Sequence, residues 1–275
     1  LNAYDGCPLT SLSSTAMIGS GGTLNDTHAQ SLANFPILES LILDGQEQLT
    51  GRTLVVIARL KKLQRLNLDR CGGLNDSDFA SLENLQKLRQ LELTDTNAGD
   101  TAAIAIAAIP RIEEVRIGSD SLTDTGLQHL AGAFSVSELR IAANQVTDVG
   151  LQALGRINRI QRLTIASNNI TGTGLSTFPE LPDLRELNLL TPGLTDVAFE
   201  HLSHITSLQK IRLAHRGVRP PTAITNDGLM KMAKATWLKE LWLPRNDTKI
   251  TEDEIKELDN LMPKTNVIAY TVDWK

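Results

Sequence analysis

Aromatic side chains are scarce in these 275 residues, at 4%, and only two cysteines occur. The first shortage argues against a protein that grips ligands in aromatic-lined pockets. The second excludes a disulfide-dense scaffold and a multi-cysteine zinc module. Basic charge is not in excess: 27 Lys and Arg stand against 32 Asp and Glu, a net charge of -5. A dedicated binder of the nucleic-acid backbone carries the opposite sign, so no nucleic-acid partner is expected. Long apolar runs are missing. The best, residues 102–109, falls far short of the roughly 18 residues that span a bilayer, and no membrane insertion is expected. The motifs H-E-x-x-H, C-x-x-C, G-x-x-x-x-G-K-S/T and G-x-S-x-G do not occur. The glycines at 19, 21 and 22 lack the Lys-Ser/Thr of a phosphate cradle. No catalytic residue, metal site or cofactor is expected, and the chain reads as a non-enzyme. It begins at Leu1 rather than Met; the expectation is that an upstream segment has been removed, which leaves the compartment open.

What the sequence does contain is a repeat. The spacing apolar-x-x-apolar-x-apolar occurs at Leu38-Leu41-Leu43, Leu63-Leu66-Leu68, Leu88-Leu91-Leu93, Ile112-Val115-Ile117 and Val136-Leu139-Ile141. It continues at Ile160-Leu163-Ile165, Leu184-Leu187-Leu189, Leu208-Ile211-Leu213 and Leu238-Leu241-Leu243. Between third positions the steps are 25, 25, 24, 24, 24, 24, 24 and 30 residues, too constant for chance. Ala16 and Ile18 are expected to form a weaker first strand, and Val267, Tyr270 and Val272 a last, capping one.

Each copy has two halves. The alternating L-x-L has the period of a strand with one buried face. A second block follows, as in residues 122–130 (LTDTGLQHL) and 146–154 (VTDVGLQAL). Thr123 and Thr147 suit an N-cap, and the Asp after each suits the positive end of a helix. Thr251-Glu252-Asp253-Glu254 reads as a capping box. One strand and one short helix cannot bury their apolar faces alone, but stacked copies can. Copies running the same way give parallel strands. Helices are wider than the roughly 4.8 Å strand spacing, so the stack is expected to curve with its strands inside.

At this point the chain resembles the leucine-rich repeat family. L-x-x-L-x-L-x-x-N-x-L is nearly intact from Val136 to Val146, with Asn144, and from Ile160 to Ile170, with Asn168. The block L-T-D-x-G-L-x-x-L is similar to that of many bacterial repeat proteins and of the repeat arms of F-box receptors. Elsewhere the Asn position holds Cys71, Thr96, Asp120, Pro192 or Arg216, and no F-box segment is seen. The resemblance implies an α/β, right-handed leucine-rich-repeat solenoid, a horseshoe with parallel strands on the concave face and short helices on the convex face. The whole of 1–275 reads as one domain of about ten repeats, with an irregular 1–23 and a capping strand in 264–275. Fold alone does not give function.

Strand alternation places three columns of side chains on the inner face. The first holds Ser40, Arg65, Gln90, Glu114, Glu138, Arg162, Glu186, Lys210 and Glu240. From Glu138 onward its signs alternate, which predicts a ladder of neighbouring pairs, each worth about 0.2–1 kcal/mol when exposed. The second column includes Arg116, Arg140, Arg212 and Trp242. Small residues at Gly118, Ala142, Ala166 and Ala214 in the third relieve crowding or admit a partner. Asp44 and Asp69 lie on neighbouring strands, but two carboxylates alone make a poor cation site. Cys71 is expected to be buried. Asn25, Asn75, Asn169 and Asn246 match N-x-S/T, though Asn25 and Asn75 read better as helix caps.

The last quarter breaks the rhythm. The 30-residue step carries extra residues within 214–223, and a smaller expansion follows at 245–249. Arg212, His215, Arg216, Arg219 and Arg245 make this region basic in an acidic chain. Trp242 is expected to be exposed beside Arg212, a composition common at binding hot spots. The expected function is a non-enzymatic protein-interaction module whose partner, of unknown identity, docks on the concave face and C-terminal loops. Its candidate contacts are Arg212, Trp242, Arg216, Arg219, Lys210, Glu240, Arg140 and Arg116. The alternative is the substrate-recognition part of a larger enzyme, ubiquitin-ligase component or bacterial effector.

Overall fold

In the computed structural model the x-L-x triplets become strands, and the apolar rungs of neighbouring copies lie side by side. The structure describes residues 10–13, 23–133, 135–213, 223–244 and 250–270. Contacts divide the chain into two compact units, Leu1–Val136 and Ser137–Lys275. In the first unit β1 (Ser11–Ser13), β2 (Ser40–Ile42), β3 (Arg65–Asn67), β4 (Gln90–Thr94) and β5 (Glu114–Gly118) pair in chain order, all parallel. Leu41, Leu66, Leu91 and Val115 are consecutive partners and fully buried. In the second unit β6 (Glu138–Ala142), β7 (Arg162–Ala166), β8 (Glu186–Leu190), β9 (Lys210–Leu213), β10 (Glu240–Pro244) and β11 (Asn266–Tyr270) follow the same rule. There Leu139, Leu163, Leu187, Ile211 and Leu241 make the equivalent row. Burying each such side chain is worth about 1.5–3 kcal/mol.

The second half of each repeat is helical. The α-helices include Asp100–Ala107, Asp124–Leu130, Asp148–Leu154 and Asp196–Leu202. Two repeats substitute 3-10 turns, Asp76–Asn84 and Thr173–Glu180. In the latter, Pro179 has no N–H to give to an α-helical bond. Thr123 and Thr147 cap as expected, accepting from the N–H groups of Thr125 and Val149. Asn25, Asn75 and Thr251 all take part in capping boxes.

The Asp after the cap does more than complement its own helix. It reaches to the next repeat. Asp148 accepts from the N–H of Thr171 at 2.9 Å, its hydroxyl at 2.6 Å, and the N–H groups of Gly172 at 3.0 Å and Gly174 at 2.9 Å. Asp26 does the same to Thr50 and Thr53, Asp76 to Gly99, Thr101 and Ala102, Asp100 to Thr123, and Asp196 to Thr225. Asp76 and Asp148 thus satisfy N–H groups of the next helix's first turn, which have no partner inside that helix, while Asp26, Asp100 and Asp196 hold the next repeat's N-cap threonine by its N–H and hydroxyl. Burial raises the Asp148 carboxyl, but bonds from Thr171, Gly174 and Gly172 outweigh it and the net shift is downward. Asp26 and Asp76 shift down by the same balance, burial opposed by hydrogen bonds from Thr50 and Thr101 respectively.

The first strand differs from expectation in its residues, and the last forms with a shifted register. The strand beside β2 is Ser11–Ser13, with Leu12 opposite Leu41; Ala16 and Ile18 lie outside the described residues. The last strand pairs Val267 and Ala269 with Leu241 and Leu243, so Tyr270 is displaced to lie opposite Pro244, and Val272 is outside the described residues. The consensus Asn144 and Asn168 are exposed. Ala143 and Ser167 take the inward position, Ser167 donating to the Val146 carbonyl at 2.6 Å. In the repeats after Leu43, Leu68 and Leu93 the residues Gly45, Arg70 and Asp95 adopt positive φ of 73°, 56° and 54°. That extra turn residue puts Gln46, Cys71 and Thr96 inward instead, and burial pushes the Cys71 thiol up to about 11.

Asp148→Ala is expected to lower stability by about 1–3 kcal/mol by leaving its donors unpaired, measured by urea unfolding. Carboxyls with depressed folded values contribute stability that is fully present above the ordinary Asp value of 3.8 and is lost as pH falls through the folded value. The fall in melting temperature on acidification below about pH 4 is therefore expected to be shallower in Asp148→Ala than in the parent.

Candidate functional site

The face of each sheet away from the helices is built from the residues between the buried rungs. In the first unit Arg116 lies 3.6 Å from Glu92 and Arg70 holds the Asp44 carboxylate, its Nε at 2.9 Å. Asp69 accepts from the Thr94 N–H at 2.6 Å. The Asp44 and Asp69 carboxylates are therefore engaged by protein donors.

In the second unit Glu138 is the anchor at one end. It is 6% exposed and clasped by Arg140 at 2.8 Å and by the Nε of Arg162 at 2.7 Å. Burial alone would raise its carboxyl, but the bonds from Arg162 and Arg140 win and lower it. On β8, the Asn188 amide donates to Thr164 at 3.0 Å and to Glu186 at 3.1 Å. At the other end Lys210 lies 3.1 Å from Glu240, so part of the expected charge ladder is realised.

Next to that pair the sheet carries a cluster of unusual composition. Register places Trp242 beside Arg212, and Tyr270 two residues beyond the partner of Trp242. The Arg212 guanidinium carbon stands 4.6 Å from the centroid of the Trp242 ring, and the Lys210 ammonium 5.9 Å from it. Tyr270 meets Trp242 edge to face, centroids 6.0 Å apart at 63°. The indole N–H donates to Glu240 at 3.0 Å, and the Tyr270 hydroxyl to the Leu213 carbonyl at 2.9 Å. Burial pushes the Tyr270 phenol up to about 12. Hydrogen bonds from Trp242 and Lys210 hold the Glu240 carboxyl below its usual range.

The expectation that Trp242 is exposed needs correction. It is half-buried, because Arg212 covers one face and Tyr270 meets its ring. Of the candidate residues, Lys210, Arg212, Glu240 and Trp242 come together on β9 and β10. Arg140 does not join them: it lies on β6, three strands from β9, about 14 Å at ordinary strand spacing. Arg116 belongs to the first unit. Arg216 and Arg219, with His215, Ala214 and Arg245, lie outside the described residues.

Residues just before the strands were missed by reading only the L-x-L alternation. Gln161, Arg185, Gln209 and Lys239 line a polar groove of about 310 Å³ beside Lys210 and Glu240. Glu39, Gln64, Arg89 and Glu113 line one of about 340 Å³ in the first unit. The available signal was the first of the two polar residues in each L-x-x-L. Among the described residues there is no group of three or more His, Cys, Asp and Glu placed to hold a metal ion, and no helix long and apolar enough to cross a membrane.

Repeat, parallel strands and helices define a class of fold: the chain has the α/β solenoid fold of leucine-rich-repeat proteins. The family model "Leucine Rich repeat" matches residues 133–155. Among solved structures the chain is similar to an internalin (inlF) from Listeria monocytogenes, with TM-score 0.66 and 20% identity over 90% of this chain. It spans 66% of that internalin's length. It is also similar to internalin C2 from the same organism, at TM-score 0.54 and 22% identity, covering 74% of this chain and 79% of that one. A plant peptide hormone receptor, RGFR1, solved in complex with RGF2, matches at TM-score 0.54 and 17% identity, over 96% of this chain and 48% of that one. A search of curated proteins finds no match.

Glu138→Gln is expected to cost about 1–3 kcal/mol, since it strips the charge that two arginines are folded around. Chemical denaturation measures it, and Arg162→Gln alone is expected to cost less because Arg140 still neutralises the carboxylate.

Proposed function

We propose that the protein is a non-enzymatic protein-interaction module, and that its partner docks on the open sheet face of the second unit at Lys210, Arg212, Glu240 and Trp242. The observation that carries this reading is the Trp242–Arg212 stack, half-buried on the sheet face away from the helices. Tryptophan and arginine are the residue types in which binding energy concentrates. The indole bond to Glu240 and the Tyr270 contact hold Trp242, and the stack holds Arg212, so little conformational freedom remains to be lost on docking. The insertions at 214–223 and 245–249 directly follow β9 and β10, and inserted loops are where recognition residues collect. Arg216 and Arg219, candidate contacts on sequence grounds, lie in the first of these insertions. The plant receptor of similar fold is a peptide-hormone receptor solved in complex with RGF2, which supports a protein or peptide ligand rather than a small molecule. The low aromatic content and the polar, open grooves agree with that.

The test is affinity capture from the source cell with the parent chain and with Trp242→Ala, read by quantitative mass spectrometry. Removing a hot-spot side chain is expected to lower capture of the specific partner about thirtyfold. Circular dichroism and melting confirm that the variant is folded. Equal retention by both chains would remove this face from consideration.

A further inference from the structure

Charged side chains on the open face of the second unit mostly face opposite charges. Arg140 and Arg162 share Glu138, and Lys210 holds Glu240. Arg212 differs. Among the described residues no carboxylate lies within ion-pair distance of it, and its guanidinium stands over the face of Trp242. Its Nε is buried without a hydrogen-bond partner, and so is Oδ1 of Asn188, its neighbour in register on β8. The two Nη nitrogens are not among the buried, unpartnered atoms and make no hydrogen bond to the described residues. They are therefore the donors left open to solvent. An unpaired buried donor costs free energy. Here the guanidinium is positioned by stacking rather than by its own hydrogen bonds, and its bidentate edge is unspent.

Resting on the reading that this face binds a protein, we infer that Arg212 receives a carboxylate from the partner: an Asp or Glu side chain on an extended segment, with an apolar neighbour lying against Trp242 and Tyr270. The Arg fork matches a planar carboxylate with two parallel N–H···O bonds. Partial burial strengthens the charge interaction relative to open water. The charge balance favours a singly charged group over a dianionic phosphate. Glu240 and Glu186 stand on the flanking strands, and Lys210 is already matched to Glu240. The apolar neighbour follows from the edge-to-face rings, which offer carbon surface beside the cation.

The experiment selects peptides from a displayed library of random twelve-residue sequences on the purified chain, then measures affinities of the winners as synthetic peptides. The expected winners carry an Asp or Glu beside an apolar residue. Their binding is expected to fall about tenfold or more with Arg212→Gln, with Trp242→Ala, and on changing the peptide acid to its amide. Arg212→Gln combined with the amide peptide is expected to lose little beyond either change alone, the signature of two groups that touch. If Trp242→Ala weakens binding while Arg212→Gln and the amide do not, the face binds but the carboxylate assignment is overturned. Should a phosphoserine peptide bind tenfold tighter than its glutamate parent, that assignment is likewise overturned. Winners indifferent to both variants, or no winners at all, overturn the proposed face as well as this inference. Arg212→Lys checks the fork: it keeps the charge, and retention of full affinity would rule out the bidentate geometry.

Discussion

No repeat in this chain can bury its own apolar side, and everything else follows from that constraint. The leucines at Leu66, Leu91 and the Val115 position, and those at Leu139, Leu163 and Leu187, are buried only because a neighbour of the same design lies alongside. Parallel pairing of short strands spaces the repeats closely. At that spacing the wider helical halves must be reconciled with the strands, and the carboxylates of Asp26, Asp76, Asp100, Asp148 and Asp196 stitch them together on the other side. Each one holds the N-cap or the first turn of the following repeat's helix. Stability is therefore built from nearest-neighbour terms on both sides of the sheet, one apolar and one polar.

The apolar term was legible in the sequence because period-2 alternation, recurring every 24 residues or so, is what stacked strand units require and little else produces. The polar term was legible only as residue type. Thr-Asp at positions such as Thr147 and Asp148 announces a helix start, and the local rule assigns the Asp to its own helix dipole. What redirects it is the neighbour, which a single repeat does not contain. The same holds for the turn after each strand. Asn144 and Asn168 sit at the consensus spacing yet face outward, while Ala143 and Ser167 turn in. One residue in the left-handed region, at Gly45, Arg70 or Asp95, decides which position is buried, and for Arg and Asp that choice is not written in side-chain pattern.

The candidate site was legible to a similar depth. Alternation alone put Lys210, Arg212, Glu240 and Trp242 on one face, and register confirms them as neighbours. It could not show that Tyr270 would join Arg212 in covering Trp242, because Tyr270 comes from a strand whose register departs from the repeat. Tyr270 reaches the indole only because β11 pairs Val267, not Tyr270, with Leu241. Nor could alternation rank the arginines. Arg116, Arg140 and Arg212 occupy equivalent column positions, and only the ion pairs to Glu92 and Glu138 separate the first two from the third.

That separation has an energetic meaning. An arginine already paired on the surface exchanges one carboxylate for another when a partner arrives, and the net gain is small because exposed pairs are worth little to begin with. Arg140 and Arg162 face a further penalty, since drawing either away would uncover a carboxylate that is 6% exposed. Arg212 gives up only water at its Nη nitrogens. Stacking on Trp242 has already fixed its plane, so the ordering cost of a long side chain is met before any partner docks. On a face where charge is otherwise balanced internally, the residue positioned by an aromatic ring rather than by an opposite charge is the one whose pairing energy is still to be gained.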